Sequence, residues 1–209
     1  MKRTVNSGTK YYIERISKEF QHTDIYNSSA SIDNKPVYSD CAKLVILGSA
    51  GKTFTGFSYL EGQTVACVAD GSYVGTKVVA SGSIVLTDNA TELIAGLPYS
   101  QQVVTLPIEA GAIIGSAMGA VKRIDRIVMN FVRSIGAKFG KSTDAADLIT
   151  VNMRDSNTVA ADDPTPLFTG QKRDDFTGEY EGDSKVAFVQ DNPLPMSISG
   201  FSVKGITYD

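Results

Sequence analysis

The chain has 209 residues, a formal net charge of -3, and 42% hydrophobic and 21% charged residues. This composition is typical of a folded globular protein and excludes a disordered or membrane-embedded class. The length suffices for one good core or two modest ones. The negative charge gives no overall reason to expect adhesion to nucleic acid or anionic lipid, because both need an excess of Lys and Arg.

The sequence gives little indication of a secretory signal, a membrane-spanning helix or a zinc site built on cysteines. The first residues carry charge but lack the apolar run of a secretory signal. The longest uncharged stretch, between Glu109 and Lys122, falls short of the roughly 20 residues that span a bilayer as a helix, so we predict a soluble chain without membrane insertion. Cys41 and Cys67 lack CxxC spacing, which argues against a thiolate zinc site and leaves one disulfide possible.

Strand patterns dominate the first half of the chain. Runs of β-branched and aromatic residues between turn residues predict strands over 10–16, 64–69, 77–80, 83–87, 91–99 and 103–106. Asp70-Gly71 favours a tight hairpin because both residues can adopt positive φ, and Ser81-Gly82 turns the chain again. Asp88-Asn89 is expected to end the strand over 83–87.

The second half begins with a glycine repeat at Gly111, Gly115 and Gly119, which favours a connector over a helix contact because glycine destabilises helices. Alternating patterns predict strands over 147–154, 185–190 and 195–201, and a long loop over 155–183. The predicted fold class is mainly β with little helix. A sandwich or barrel-like main domain, 1–56 and 109–209, would hold a small β subdomain, 57–108.

The segment 121–136 is ambiguous. Ile124, Ile127, Val128, Phe131 and Ile135 match helical spacing. The β-branched content and Asn130 count against a helix, and a strand buried on both faces would also read as a nearly continuous apolar run. Helix and strand both stay open from the pattern.

Catalytic signals are sparse. His22 is the single histidine and lies in a polar turn, where a solvated role is expected. Gly140-Lys141-Ser142 is similar to the end of a phosphate-binding loop, but Ile135 stands where that motif needs glycine. No catalytic, cofactor or metal site is predicted.

Two charged clusters have ordinary structural explanations. Five carboxylates near the end of the predicted loop could bind calcium or supply a glycosidase acid pair, but a solvated acidic loop is the simpler interpretation: Asp174, Asp175, Glu179, Glu181 and Asp183. The basic residues Lys122, Arg123, Arg126 and Arg133 lack the interleaved aromatics of a nucleic-acid site. We expect them to form a structural or inter-subunit salt-bridge face.

Residues 59–65, YLEGQTV, followed by 68–71, VADG, resemble a signature of tail proteins of short-tailed bacteriophages. Other pieces follow in that family's order, covering nearly the whole chain. The signature residues are Leu60, Glu61, Gly62, Asp70, Gly71, Gly96, Leu97, Pro98, Tyr99, Phe168, Thr169, Gly170, Pro193, Leu194 and Pro195. Tyr59 and Met118 depart from the family, which usually has His and Gln there.

The chain is thus similar to tail nozzle proteins, also called tail tubular protein B, which are related to packaged-DNA stabilisation proteins. The resemblance implies a structural, non-enzymatic virion protein made in the host cytoplasm, without cofactors. It also implies a hexameric ring in the full-length protein, with this chain as a C-terminal portion. The implied partners are a tail adaptor protein, tail fibres or spikes, and DNA that passes without sequence-specific binding. Relatives further favour a strand over 124–135.

Two other functions stay open. A host-surface carbohydrate-binding module of a phage tail could use the aromatic residues Tyr11, Tyr12, Tyr99, Phe176 and Tyr180, although the chain has no Trp. A cell-wall hydrolase could use an acid pair within 174–183.

Overall fold

The computed structural model describes residues 2–5, 8–13, 37–109, 119–154 and 165–208, and the chain divides into two compact units. Unit 1 comprises residues 1–99 and 159–165, and unit 2 comprises 100–158 and 166–209. The described residues form antiparallel strands with two short 3-10 turns, which confirms the predicted mainly β class. His22, most of the 111–119 glycine repeat and Met118 lie outside the described residues.

Unit 1 contains a short hairpin and a four-stranded sheet. The hairpin pairs β1 (Lys2–Val5) with β2 (Gly8–Tyr11). The sheet has the order β3-β6-β4-β5, with β3 (Asp40–Thr55), β4 (Thr64–Ala69), β5 (Ser72–Val78) and β6 (Ser83–Leu97). A 3-10 turn over Ser58–Leu60 leads from β3 towards β4.

The core of unit 1 lies on one face of this sheet. Alternate residues of β4, Val65 and Cys67, point into it, as period-two side-chain alternation requires. They pack with the fully buried side chains of Phe54, Phe57, Leu60, Ile84 and Leu93. Leu60 therefore fixes the 3-10 turn to the core.

Unit 2 contains two antiparallel sheets. One has the order β10-β9-β12-β7 and the other β11-β8-β13. Their strands are β7 (Gln101–Val104), β8 (Val121–Ser134), β9 (Lys138–Gly140), β10 (Leu148–Thr150), β11 (Phe168–Asp175), β12 (Ala187–Gln190) and β13 (Ile198–Tyr208). A 3-10 turn over Ala145–Asp147 precedes β10. Residues from both sheets share one apolar cluster, including Met129, Phe131, Phe139 and Phe188.

The ambiguous segment 121–136 is a strand, β8, over its first fourteen residues. Its helix-like spacing comes from bulges. Arg126 pairs with Lys204 and Ile124 with Gly205, so one extra residue, Asp125, is inserted on β8. The inward residues Ile124 and Ile127 are therefore three apart, although a regular strand would place them two apart.

Several predicted details differ from the structure. The predicted strands over 10–16 and 147–154 are shorter, because the strands end at Tyr11 and Thr150, and β3 was not predicted. The predicted loop 155–183 contains strand β11. One side of this strand is exposed and its sequence is rich in charged residues, so it was interpreted as a loop. Asp88-Asn89 does not end a strand, because β6 continues through both and shows instead a shift in its pairing with β3. The strand returning from Asp70-Gly71 begins at Ser72, not at Lys77.

The compact units also divide at different places from the predicted domains. The four-stranded sheet of unit 1 includes β3, which pairs with β6, so residues before 57 are part of that sheet. β7 pairs with β12 and belongs to unit 2 although it lies within the predicted subdomain 57–108. Pairing between distant segments, absent from the local pattern, sets these boundaries.

Candidate functional site

The signature around Leu60-Glu61-Gly62 holds a neighbouring turn. The Glu61 carboxylate accepts hydrogen bonds from the backbone N–H groups of Ser81 and Gly82, at 2.8 and 2.7 Å. Ser81 and Gly82 have φ of 51° and 67°, and Ala80 and Ser83 exchange backbone hydrogen bonds around them. Two successive N–H groups in this conformation form a concave anion site, which Glu61 fills from within the chain.

Gly62 completes the same structure. Its φ is +76°, a region that favours glycine, and its N–H donates to the Val79 carbonyl at 3.0 Å. Val79 in turn donates to the carbonyl of Gln63. The predicted scaffold role of Leu60-Glu61-Gly62 therefore has a defined geometry: one side chain is buried, one binds a turn, and one glycine sets the backbone.

The second signature carboxylate, Asp70, acts in a comparable way. Asp70 and Gly71 have φ of 43° and 81° and form the predicted two-residue hairpin turn. The Asp70 carboxylate accepts from the backbone N–H groups of Thr91 and Glu92 at 2.9 to 3.1 Å, and from the Thr91 hydroxyl at 2.7 Å. It thereby fixes the hairpin to the middle of β6.

Gly96 marks a close approach between β6 and β3. A Cβ at this position would lie 2.6 Å from the Cβ of Ala42 and 2.7 Å from the Asp40 carbonyl oxygen. Leu97 packs partly buried against the unit 1 core, whereas Pro98 and Tyr99 are exposed. This part of the signature is a packing constraint.

A groove of about 490 Å³ lies between the β4–β5 hairpin and the irregular part of β6. Its charged lining includes Asp70, Lys77 and Asp88. Lys77 donates to the Thr87 hydroxyl and Lys52 to the Thr87 carbonyl, at 3.3 and 2.6 Å. Two of its three charged groups, Asp70 and Lys77, are therefore already hydrogen-bonded to the protein itself.

The signature residues of unit 2 meet at the end of β8. Arg133 has a φ of 47°, and its backbone N–H donates to the Thr169 hydroxyl at 3.0 Å. The pairing of β8 and β11 shifts between Phe168 and Gly170, and Gly170 has a φ of 145°. Thr169 thus satisfies a backbone donor where the ladder is interrupted.

The Pro193-Leu194-Pro195 segment reaches the same place. The Ile135 N–H donates to the Pro195 carbonyl at 2.8 Å. The buried Gln190 amide donates to the carbonyls of Ile135 and Leu194, at 2.8 and 3.1 Å. Pro193 and Pro195 are buried. We call residues 131–136, 168–170 and 190–197 the β8-end junction.

Ser134 is a further polar residue of this junction and is completely buried. Its hydroxyl oxygen lies 2.9 Å from the Val132 carbonyl oxygen and 3.0 Å from that of Ser197, which share its single proton, and it accepts from the Ser197 N–H at 2.7 Å. Neither Ser134 nor Gln190 was predicted from the sequence as a functional residue. A polar residue at an inward position of an apolar strand is the signal that could have found Ser134.

The basic residues are divided between different contacts. Arg123 forms an ion pair with Asp125 at 3.0 Å, and Arg126 with Asp175 at 3.5 Å. Lys122 is buried, with its ammonium 3.5 Å from the Gly182 carbonyl. For Arg123 and Arg126 the geometry agrees with the predicted salt-bridge face.

The acidic residues of 174–183 do not share one environment. Asp174 and Asp175 are adjacent on β11, and successive strand side chains point to opposite faces. Burial raises the pKa of Asp174, whereas Asp175 lies beside Arg126. Asp183 pairs with Lys185 at 3.2 Å. The structure therefore does not bring Asp174 and Asp175 together as an acid pair.

The Gly140-Lys141-Ser142 segment forms an ionic cluster. Lys141 lies 3.3 Å from Glu179 and 3.8 Å from Asp147, and the Ser142 hydroxyl donates to Asp147 at 2.6 Å. The hydrogen bond to Glu179, reinforced by the charge of Asp147, raises the pKa of Lys141. Lys141 therefore links the 3-10 turn over Ala145–Asp147 to the acidic segment.

The two cysteines are free thiols in this structure. Cys67 is fully buried, and burial raises its pKa from 9.0 to about 11. Cys41 is half-buried at the edge of the same core. A buried, protonated thiol is a poor nucleophile, so Cys67 is a packing residue.

The aromatic residues considered for sugar binding differ in accessibility. Phe176 is buried and stacks on Phe139, and the Tyr12 hydroxyl donates to the Tyr59 carbonyl at 3.2 Å. Tyr180 is exposed and forms an edge-to-face pair with Tyr208, with ring centroids 5.3 Å apart. Sequence reasoning did not identify Tyr208 as the partner of Tyr180.

Among the described residues, no group of three or more His, Cys, Asp or Glu side chains is arranged to hold a metal ion. No helix in the same part of the chain is long and apolar enough to cross a membrane. Comparison with protein-family models found no match for the sequence, and comparison with curated proteins found none either.

Proposed function

We propose that this chain is a structural component of a bacteriophage tail, part of the nozzle ring that retains and conducts DNA and carries tail appendages. The observation that supports a structural role is the use of the signature side chains. Glu61, Asp70 and Thr169 all bind backbone N–H groups of the chain itself. Such groups maintain a shape, and their hydrogen-bonding capacity is directed away from an external substrate.

Charge is compatible with a wall along which DNA slides. Lys and Arg contacts to phosphate supply most non-specific DNA affinity. The chain is negative overall, and Arg123, Arg126, Lys138 and Lys141 each lie beside a carboxylate. Cations neutralised in this way hold a duplex weakly, which would let it move during ejection.

Immunogold electron microscopy tests the location. Antibodies raised against the purified chain should label the tail end of phage particles from a lysate of the bacterium that carries the gene. Antibody absorbed beforehand with the purified chain is the control and should give no labelling. Labelling of the capsid shell alone, or detection of the chain only outside phage particles, would contradict the proposal.

Electrophoretic retardation tests the DNA-conducting role. The purified chain should leave the mobility of duplex DNA unchanged even at low salt, where phosphate contacts are strongest. Retardation that disappears as salt rises would reveal a phosphate-binding surface and count against a non-adhesive wall.

The proposed role is non-enzymatic. The purified chain should release no reducing ends from bacterial cell-wall polysaccharide. Turnover that is lost on changing Asp174 or Glu179 to Ala would instead support the hydrolase alternative.

A further inference from the structure

Tyr180, Tyr208, Arg123 and Asp125 form an exposed cluster at one end of the β11-β8-β13 sheet. The two tyrosines are 49% and 54% exposed. The Arg123 guanidinium lies 5.5 Å from the centre of the Tyr180 ring, and its Nε donates to Asp125 at 3.0 Å. We call these four residues the tyrosine cluster. None of them belongs to the signature.

Backbone contacts hold the cluster in place. Glu181, next to Tyr180, exchanges two hydrogen bonds of 2.8 Å with the backbone of Lys122. Tyr208 pairs with Val121 across the β8–β13 ladder, and Arg123 pairs with Ile206. Each member is therefore on a strand or tied to one, so little ordering entropy would be lost when a ligand binds.

The polar groups of the cluster suit hydroxyl ligands. Arg123 keeps its terminal N–H donors after binding Asp125 through Nε, and Asp125 offers carboxylate acceptors. A hydrogen bond with the Tyr180 hydroxyl raises the pKa of Tyr208, so the phenol stays neutral. Planar donors and acceptors beside aromatic rings match a pyranose, which has an apolar C–H face and adjacent hydroxyls at its edge.

Charge narrows the ligand class further. The carboxylate of Asp125 balances the guanidinium of Arg123, so the ion pair of the cluster has no net charge. A phosphate or uronate would meet Asp125 as a like charge, and nucleic acid would gain little from a cation that is already paired. We infer that the tyrosine cluster binds a neutral oligosaccharide, through ring stacking on Tyr180 and Tyr208 and hydrogen bonds to Arg123 and Asp125.

A glycan array tests this site, printed with neutral hexose and N-acetylhexosamine oligosaccharides and, separately, with sialylated and uronic acid glycans. The purified chain should bind at least one neutral oligosaccharide. Calorimetric titration with that oligosaccharide should show about tenfold weaker affinity for Tyr180→Ala and for Tyr208→Ala, the loss expected when a stacked ring is removed.

Matched variants keep the test sharp. Leu106→Ala removes an 85% exposed apolar side chain outside the cluster and should bind as the unchanged chain does. Tyr208→Phe keeps the ring and should bind more tightly than Tyr208→Ala, and it preserves the test if the alanine variant fails to fold. Binding to acidic glycans alone, no glycan binding, or binding by both alanine variants that is as tight as that of the unchanged chain would overturn the inference.

Sedimentation separates a protein partner from a glycan. Self-association that Tyr208→Ala abolishes, without oligosaccharide binding, would assign the surface to a second copy of the chain and overturn the inference. The inferred glycan site does not depend on the proposed tail role. Either proposal can be contradicted alone, the tail role by immunogold labelling and the glycan site by the array.

Discussion

In unit 1 the side chains that hold irregular backbone are carboxylates, whereas in unit 2 they are neutral hydroxyl and amide groups. Glu61 is half-buried and Asp70 is exposed. Ser134 and Gln190, which act at the β8-end junction, are almost completely buried. An ion near solvent keeps much of its hydration, but a buried ion loses several kcal/mol of solvation free energy. Neutral groups avoid this cost at the buried junction.

The side chains that hold irregular backbone also differ in how far apart along the chain their partners lie. Glu61 binds a turn about 20 residues away, within one sheet. Gln190 and Ser134 bind carbonyls or N–H groups 55 and 63 residues away. The Glu61 contact therefore joins segments that lie closer along the chain than those joined by Gln190 and Ser134.

The largest expected effect is at the close approach in unit 1. Gly96→Val places a side chain against backbone atoms of β3 and should lower the free energy of unfolding by about 3 kcal/mol, the usual range for overpacking. Gly48→Ala is the control, because no atom lies within 4 Å of a Cβ there. Urea unfolding followed by circular dichroism measures both, and equal midpoints would contradict the close approach.

In unit 2, Ser134→Ala should cost about 2 kcal/mol because it removes a fully buried hydroxyl and leaves the partly buried Ser197 N–H without its acceptor. Ser202→Ala, on the exposed side of β13, should be nearly neutral. Hydrogen exchange measured by mass spectrometry should speed up in peptides covering 131–136 and 195–199. Unchanged exchange there would mean that the junction does not depend on this hydroxyl.

A smaller effect is expected at the carboxylate of unit 1. Glu61→Gln replaces one acceptor oxygen by a donor and should cost about 1 kcal/mol, the difference between charge-assisted and neutral hydrogen bonds. Amide exchange should rise at Ser81 and Gly82 and stay unchanged in unit 2. Asp88→Asn removes an exposed carboxylate of β6 and serves as the control, and it should leave amide exchange at Ser81 and Gly82 unchanged.

The cysteines should affect stability least at pH 8 but differ clearly in reactivity there. Iodoacetamide at pH 8 should modify half-buried Cys41 faster than Cys67, whose thiol is buried. Between pH 9 and 11 the unfolded chain releases the Cys67 proton while the folded chain retains it, so the free energy of unfolding should fall as pH rises. Equal modification rates at pH 8 would show that the unit 1 core opens readily.

The sequence by itself determined the β-rich class and the two tight turns. Both turns require residues with positive φ, which Asp70-Gly71 and Ser81-Gly82 adopt. This requirement depends only on neighbouring residues, so it can be predicted from the sequence. Leu60 was also recognisable as a core anchor, and the structure buries it completely.

Only the tertiary structure decided β11 and the partners of the signature side chains, and it confirmed the strand at β8, which the sequence pattern left open and the family resemblance favoured. The bulge at Asp125 hides the period of two in β8, and the charged exposed side of β11 makes it look like a loop. Glu61, Ser134 and Gln190 bind backbone groups that become their neighbours only after distant strands have paired. Strand register sets these contacts, and register depends on the whole buried face of each sheet.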